Sequence, residues 1–134
     1  MNQLARPANR LDSVALGLVL LTLITAGAHL YLAAQPDEDL RFWFLLNGVG
    51  YLVLLAAFEL PQFAQIHKIV RWVLMGYALL TIILWFFLGS ISKGELDPFD
   101  ITVKVVEAAL VLLLFLDSRR ERVLDSRRER AYQR

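Results

Sequence analysis

Residues Pro98 to Arg120 read PFDITVKVVEAALVLLLFLDSRR, a stretch apolar enough in its second half to cross a membrane, yet with Asp100, Lys104 and Glu107 in its first half. Insertion charges about +2.5 to +3.5 kcal/mol for a centrally placed Lys or Asp, against about −0.3 to −0.6 for each Leu, Ile or Val. Two such groups nearly cancel the apolar half of the segment. At about 100° per residue, Asp100, Lys104, Glu107 and Val111 stay within a sector of roughly 60°, so the three charges share one helix face. Asp100 sits close to water, and Lys104 can snorkel along its own apolar stem. The short side chain of Glu107 reaches neither interface. It must be neutral, paired with Lys104 three residues away, or solvated in a cavity, and neighbouring helices are the natural source of that compensation.

Neighbours of the right kind are present. Of 134 residues, 57% are hydrophobic and the mean hydropathy is +0.53, too apolar for an ordinary soluble domain of this size. Apolar runs extend over Ser13 to Ala34, Phe42 to Leu60, Ile69 to Ser90 and Phe99 to Leu116. At a rise of about 1.5 Å per residue, each reaches or nearly reaches the ~30 Å of a bilayer core. The expectation is an all-α, up-down-up-down four-helix transmembrane bundle, multi-pass in the cell membrane. The first run is longer than the apolar part of a signal peptide and YLAA lacks a small-x-small cleavage site, so it reads as an uncleaved span. The chain has no cysteine, which excludes disulfides, thiolate metal sites, Fe–S clusters and a cysteine nucleophile.

Charge divides the connections. Arg6 and Arg10 precede the first span, Lys68 and Arg71 lie in the second connection, and seven arginines follow the fourth span. The other two connections, QPDEDLR and ISKGELDP, are acidic and carry only Arg41 and Lys93. The positive-inside rule then places both termini in the cytoplasm. Residues 1–117 read as the membrane domain and 118–134 as a charged cytoplasmic helical tail. The tail is a tandem repeat, DSRRERVL then DSRRERAY, spaced for ion pairs inside the helix and basic enough to favour an anionic inner leaflet. Nothing in it resembles a base-reading module, so nucleic acid is not an expected partner. Tyr31, Trp43 and Trp85 fall where an outer aromatic belt belongs, and Trp72 where an inner one does.

Each span carries a polar stripe: Thr22, Thr25 and His29; Asn47 and Tyr51; Tyr77, Thr81 and Trp85; Asp100, Lys104 and Glu107. Counted at about 1.5 Å per residue, they meet at similar depths in the outer half of the bundle. The candidate ligand- or proton-binding residues are therefore His29, Asn47, Tyr51, Asp100, Lys104 and Glu107. Two readings remain open for Lys104 and Glu107: a purely structural pair, or part of a functional pocket. His29 and His67 differ in depth by about 27 Å, too far to clamp one haem between them. No metal site is expected, the acidic loops match no calcium-loop spacing, and phosphate-loop, H-E-x-x-H and G-x-S-x-G motifs are absent. A catalytic role is the minority reading.

The run GAHLYLA, an acidic loop and then FWFLLNGVGYLVLL resembles a pattern found in small uncharacterised four-span prokaryotic membrane proteins, over roughly the first sixty residues. Such families carry no activity to transfer, and the resemblance implies only that His29 and Asn47 belong together. The functional expectation is binding or passage of a small ligand, ion or proton. The alternatives are an accessory subunit of a larger membrane complex or homo-oligomer, and a haem- or pigment-binding subunit with His29 as single axial ligand. The cofactor, if any, is not legible.

Overall fold

The computed structural model describes residues 13–133. Among the described residues there are four α-helices and no strand: α1 Ser13–Ala33, α2 Arg41–Glu59, α3 His67–Leu88 and α4 Pro98–Tyr132, with short 3₁₀ turns at Pro61–Ile66 and Ser90–Lys93. Arg6, Arg10 and Arg134, which entered the charge argument, lie outside the described residues.

Local chemistry sets the boundaries. Leu60, ahead of Pro61, is extended at ψ 130°, which ends α2 where the proline ring would clash with a helical predecessor. Gly94 closes the 89–97 connection at φ 75°, a conformation that costs a residue with a Cβ atom, while the Glu95 N–H donates back to the Ser90 carbonyl at 2.9 Å. α4 then starts with Asp97 as its cap, the carboxylate accepting from the Phe99 N–H at 2.9 Å, and with Pro98 in the first turn where no N–H is needed. From there α4 runs without a break through residue 117 to Tyr132.

Neighbouring helices run antiparallel, as their contacts show. The His29 ring packs near Phe44, where α1 and α2 are joined, and Gly48 lets α2 approach α1: a Cβ there would lie 2.7 Å from Leu30 Cγ and 3.1 Å from the Ala26 carbonyl. Phe58 meets His67 across the α2–α3 connection, while Tyr51 meets Thr81 further along. One end of the bundle thus carries the acidic connections 34–40 and 89–97, here called the acidic end. The opposite, basic end carries the start of α1, the 60–66 connection and the extension of α4.

Beside an apolar core that includes Leu18, Leu74, Leu110 and Leu114, burial is partly inverted relative to a soluble bundle. Thr22, Thr25, His29, Arg71, Thr81 and Glu107 are buried, whereas Leu20, Ile24, Val53, Ile69, Ile83, Phe87, Val105 and Leu112 are exposed. Three helical segments are long and apolar enough to cross a membrane: α1, α2 and Pro61–Lys93, with mean hydropathies of 1.9, 1.6 and 2.1. α4 differs through the charges inside its apolar part. Tyr31, Trp43 and Trp72 are exposed. Trp85 instead is half-buried and folds over Gly89, where a Cβ would collide with its ring.

At the basic end the tail carboxylates turn to α3. Arg71, whose side chain is 5% exposed, lies 3.0 Å through Nε from Asp117 and donates through a terminal nitrogen to Glu121, while Lys68 donates to Asp125 at 3.1 Å. The expected pairing of Asp125 with arginines of its own helix gives way to this contact, because α3 presents Lys68 at the same level. Spacings of four keep Asp117, Glu121 and Asp125 on the α3 side, and Arg119 and Arg130 fall on the opposite side. Replacing Arg71 by Leu leaves two partly buried carboxylates without a cation. Their partial exposure discounts the loss to about 1–3 kcal/mol, below that of a fully buried pair. Thermal unfolding in mild detergent should show this loss, with part of it recovered on adding Asp117→Asn and Glu121→Gln.

Candidate functional site

Roughly midway along the bundle, four helices each turn a polar group to one point. α4 contributes Glu107, 0% exposed, on the face formed by Val103, Leu110 and Leu114. Its Oε2 accepts from Lys104 Nζ at 2.7 Å, one turn nearer the acidic end. Its Oε1 lies 3.6 Å from His29 Nε2 on α1 and accepts from the Tyr51 hydroxyl on α2 at 3.3 Å. From α3, Thr81 Oγ1 stands 3.0 Å from the same Tyr51 hydroxyl. The carboxylate of Glu107 is therefore the one group that all three other helices address, directly or through Tyr51.

Counting hydrogens defines the site's state. A backbone carbonyl only accepts, so His29 Nδ1, 2.8 Å from the Thr25 carbonyl, carries a proton. In the neutral imidazole that leaves a lone pair on Nε2, aimed at a carboxylate oxygen. Thr81 donates its own hydrogen to the Ala78 carbonyl at 2.8 Å, so the Tyr51 hydrogen is shared between Thr81 Oγ1 and Glu107 Oε1. Between Nε2 and Oε1, by contrast, two acceptors face one another with no hydrogen between them. A single added proton fits there.

Of the residues singled out from sequence, His29, Tyr51, Lys104 and Glu107 converge and the other two stand apart. Asn47 contributes its backbone carbonyl, accepting from the Tyr77 hydroxyl at 3.3 Å, and its side chain makes no hydrogen bond among the described residues. The buried face of α2 runs through Gly48, Tyr51, Leu55 and Phe58, which leaves residue 47 one position off it. Asp100 accepts from Ser90 Oγ at 2.8 Å, tying α4 to the preceding turn. Thr81 entered the sequence reading only as part of a stripe; its spacing of four from Tyr77 and Trp85 did not single it out. The Arg71, Asp117 and Glu121 cluster was also missed, since Arg71 reads as a positive-inside charge.

No group of three or more His, Cys, Asp or Glu able to hold a metal occurs among the described residues. Lys104 already occupies the open side of the carboxylate and repels a further cation. His29 Nε2 faces Glu107, so the imidazole as placed offers no free nitrogen to a haem. A cleft of about 680 Å³ opens at the basic end instead, lined by His67, Lys68, Arg71, Asp117 and Glu121 among others. It is a notch at the level of the tail, and the charges of Lys68, Arg71, Asp117 and Glu121 in it are paired with one another or with Asp125.

Because Lys104 and Glu107 are bonded, removing either leaves a buried charge. Glu107→Gln should cost about 2–4 kcal/mol of stability, and adding Lys104→Met should restore much of it. A thermal-melt double-mutant cycle reads this, and additive losses would mean that the pair does not interact.

A search of curated proteins and one of solved structures find no match to the chain. A family model described as a family of unknown function (DUF7475) matches residues 2–116, which takes in the cluster and ends before the arginine-rich repeat. With most of its length so matched, the chain belongs to that family of unknown function, DUF7475.

Proposed function

We propose that this chain is a small multi-pass membrane protein in which all four helices cross the bilayer, and that the His29–Glu107–Lys104 cluster binds a proton. The inverted burial supports the first part: Val105, Leu112 and Leu116 of α4 are exposed like the outward residues of the other helices, while its charges are turned inward. The acidic end faces outward and the basic end the cytoplasm, following the division of Lys and Arg. Arg119, Arg120 and Arg122 then stand at the level of the inner headgroups, where each basic residue contributes about 1 kcal/mol of attraction to anionic lipid. Cysteines introduced at Asp39 and Gly94 should react with an impermeant thiol reagent in intact cells, and one at Gln133 should not. The opposite pattern would invert the topology.

The observation that carries the proton reading is the facing pair of acceptors, His29 Nε2 and Glu107 Oε1, 3.6 Å apart, with Nδ1 already committed to Thr25. A proton on Nε2 converts this contact into a charge-assisted hydrogen bond of about 2.8 Å. The imidazolium then shares the carboxylate with the Lys104 ammonium. Oε1 gains a stronger donor, and the Tyr51 hydroxyl is freed to turn fully to Thr81, so the change is felt between α2 and α3. A proton is favoured over a bulkier ligand because Tyr51, His29, Thr81 and Glu107 fill the site with their own atoms, none more than 7% exposed. It is favoured over a metal cation because Lys104 holds the second oxygen.

The test uses ¹⁵N-histidine-labelled protein in nanodiscs, with Glu107 followed by its carboxyl infrared band. At high pH the His29 resonance should be that of the Nδ1–H tautomer, and on acidification it should become doubly protonated in one step with a change in the carboxyl band. In Glu107→Gln that coupled step should vanish. An Nε2–H tautomer at high pH, or the same His29 response in wild type and Glu107→Gln, would refute the proposal.

A further inference from the structure

From the layering of side chains along the bundle we infer that this proton site, if it acts as proposed above, exchanges with the water on the acidic side alone and does not pass protons through. The inference rests on what lies on either side of Glu107. Towards the acidic end further polar groups follow at one-turn intervals. Lys104, the most exposed member of the cluster at 13% for its side chain, bonds Glu107 directly. Asp100 follows one turn further out and is bonded to Ser90 of the connection. His29 lies four residues from the end of α1, about 6 Å of helix.

Towards the basic end the polar groups stop. Water reaches the cleft around Arg71, Asp117 and Glu121. From Asp117 to Glu107 along α4, and from Arg71 to Thr81 along α3, is about 15 Å of helix. That interval is filled by Leu74, Met75 and Ala78 from α3 and Leu110 and Leu114 from α4, with Phe58 from α2 and Leu18 from α1 at its lower edge against the cleft, all in one packed cluster. Leu18, Leu74, Leu110 and Leu114 are at most 1% exposed. Two hydroxyls from α1 enter the layer. Thr22 donates its hydrogen to the Leu18 carbonyl at 2.6 Å and is satisfied within its own helix. Thr25 Oγ1 is buried without a partner one turn below His29, and extends the polar cluster by that turn only. Below Thr22, Leu18 and Leu114 close the bundle. An ion or water chain crossing this layer would have to open it, at the cost of unsatisfied polar groups in an apolar surround.

The groups that face His29 and Glu107 are thus Tyr51 from α2, with Tyr77 edge-on behind it, Thr81 from α3, and Lys104 with the more distant Asp100 from α4. None of them leads to the basic end. The step itself is simple: hydronium on the acidic side gives one proton to Nε2 and leaves as water, and the return proceeds by the same way. Such a site reports the pH of one compartment.

Wild-type protein with ¹⁵N-labelled histidine is reconstituted into liposomes whose inner and outer buffers differ in pH, and orientation is read from protease access to the tail. The His29 resonance should follow the buffer at the acidic end and be indifferent to the buffer on the tail side. Proton flux across these liposomes should equal that of protein-free ones. A His29 resonance that follows the tail-side buffer, or a protein-dependent proton leak, would overturn one-sided access while leaving proton binding intact. A His29 resonance unchanged by pH on both sides would overturn the proton site itself, and this inference with it.

Discussion

A carboxylate with no access to water must be compensated from within, and the arrangement of the four helices follows from that demand at Glu107. Its two oxygens are served unequally. One holds the Lys104 ammonium of its own helix at 2.7 Å; the other is left to His29 and Tyr51, which belong to α1 and α2. Since Tyr51 also reaches Thr81 on α3, rotating any helix about its axis would strand at least one polar group in an apolar surround. In lipid, where apolar faces are satisfied equally well by tails and by other helices, such polar contacts choose which face turns inward.

The two ends of the bundle solve a different problem with a similar device. At the basic end, Arg71 is buried among Asp117 and Glu121, and Lys68 meets Asp125, so the repeated carboxylates hold the tail against the start of α3. Of the arginines between those carboxylates, Arg119 falls on the far side of the helix, while Arg120 and Arg122 line the clefts beside Arg71 and Glu121. At the acidic end, the Asp97 cap, Gly94 and the Asp100–Ser90 bond fix where α4 begins. This in turn sets the level at which Lys104 and Glu107 sit relative to His29.

In the proposed reading, function and stability are carried by the same atoms. The missing hydrogen between His29 Nε2 and Glu107 Oε1 is a local gap in a buried polar cluster, which is where a small titrating change has the greatest effect. The leucines between this network and Arg71 separate it from the second charged layer.

The sequence by itself determined the helices and much of their chemistry. Apolar run lengths located α1, α2, α3 and the start of α4 to within about two residues, whereas α4 continues past its apolar run, from Leu116 to Tyr132, through the charged tail that the repeat pattern marked as helical. The spacing of three between Lys104 and Glu107 puts them in contact on any helix, so that pair was legible before any packing was known. Only the tertiary structure decided what the second oxygen of Glu107 faces, that Asn47 gives its carbonyl while its amide stays outside the cluster, that Asp100 turns to Ser90, and that Asp125 leaves its own helix for Lys68. The physical reason is common to all four. Periodicity sets which residues share a face, but the outward faces here are as apolar as the inward ones, so the rotation and depth of each helix are fixed by contacts between residues far apart in the chain.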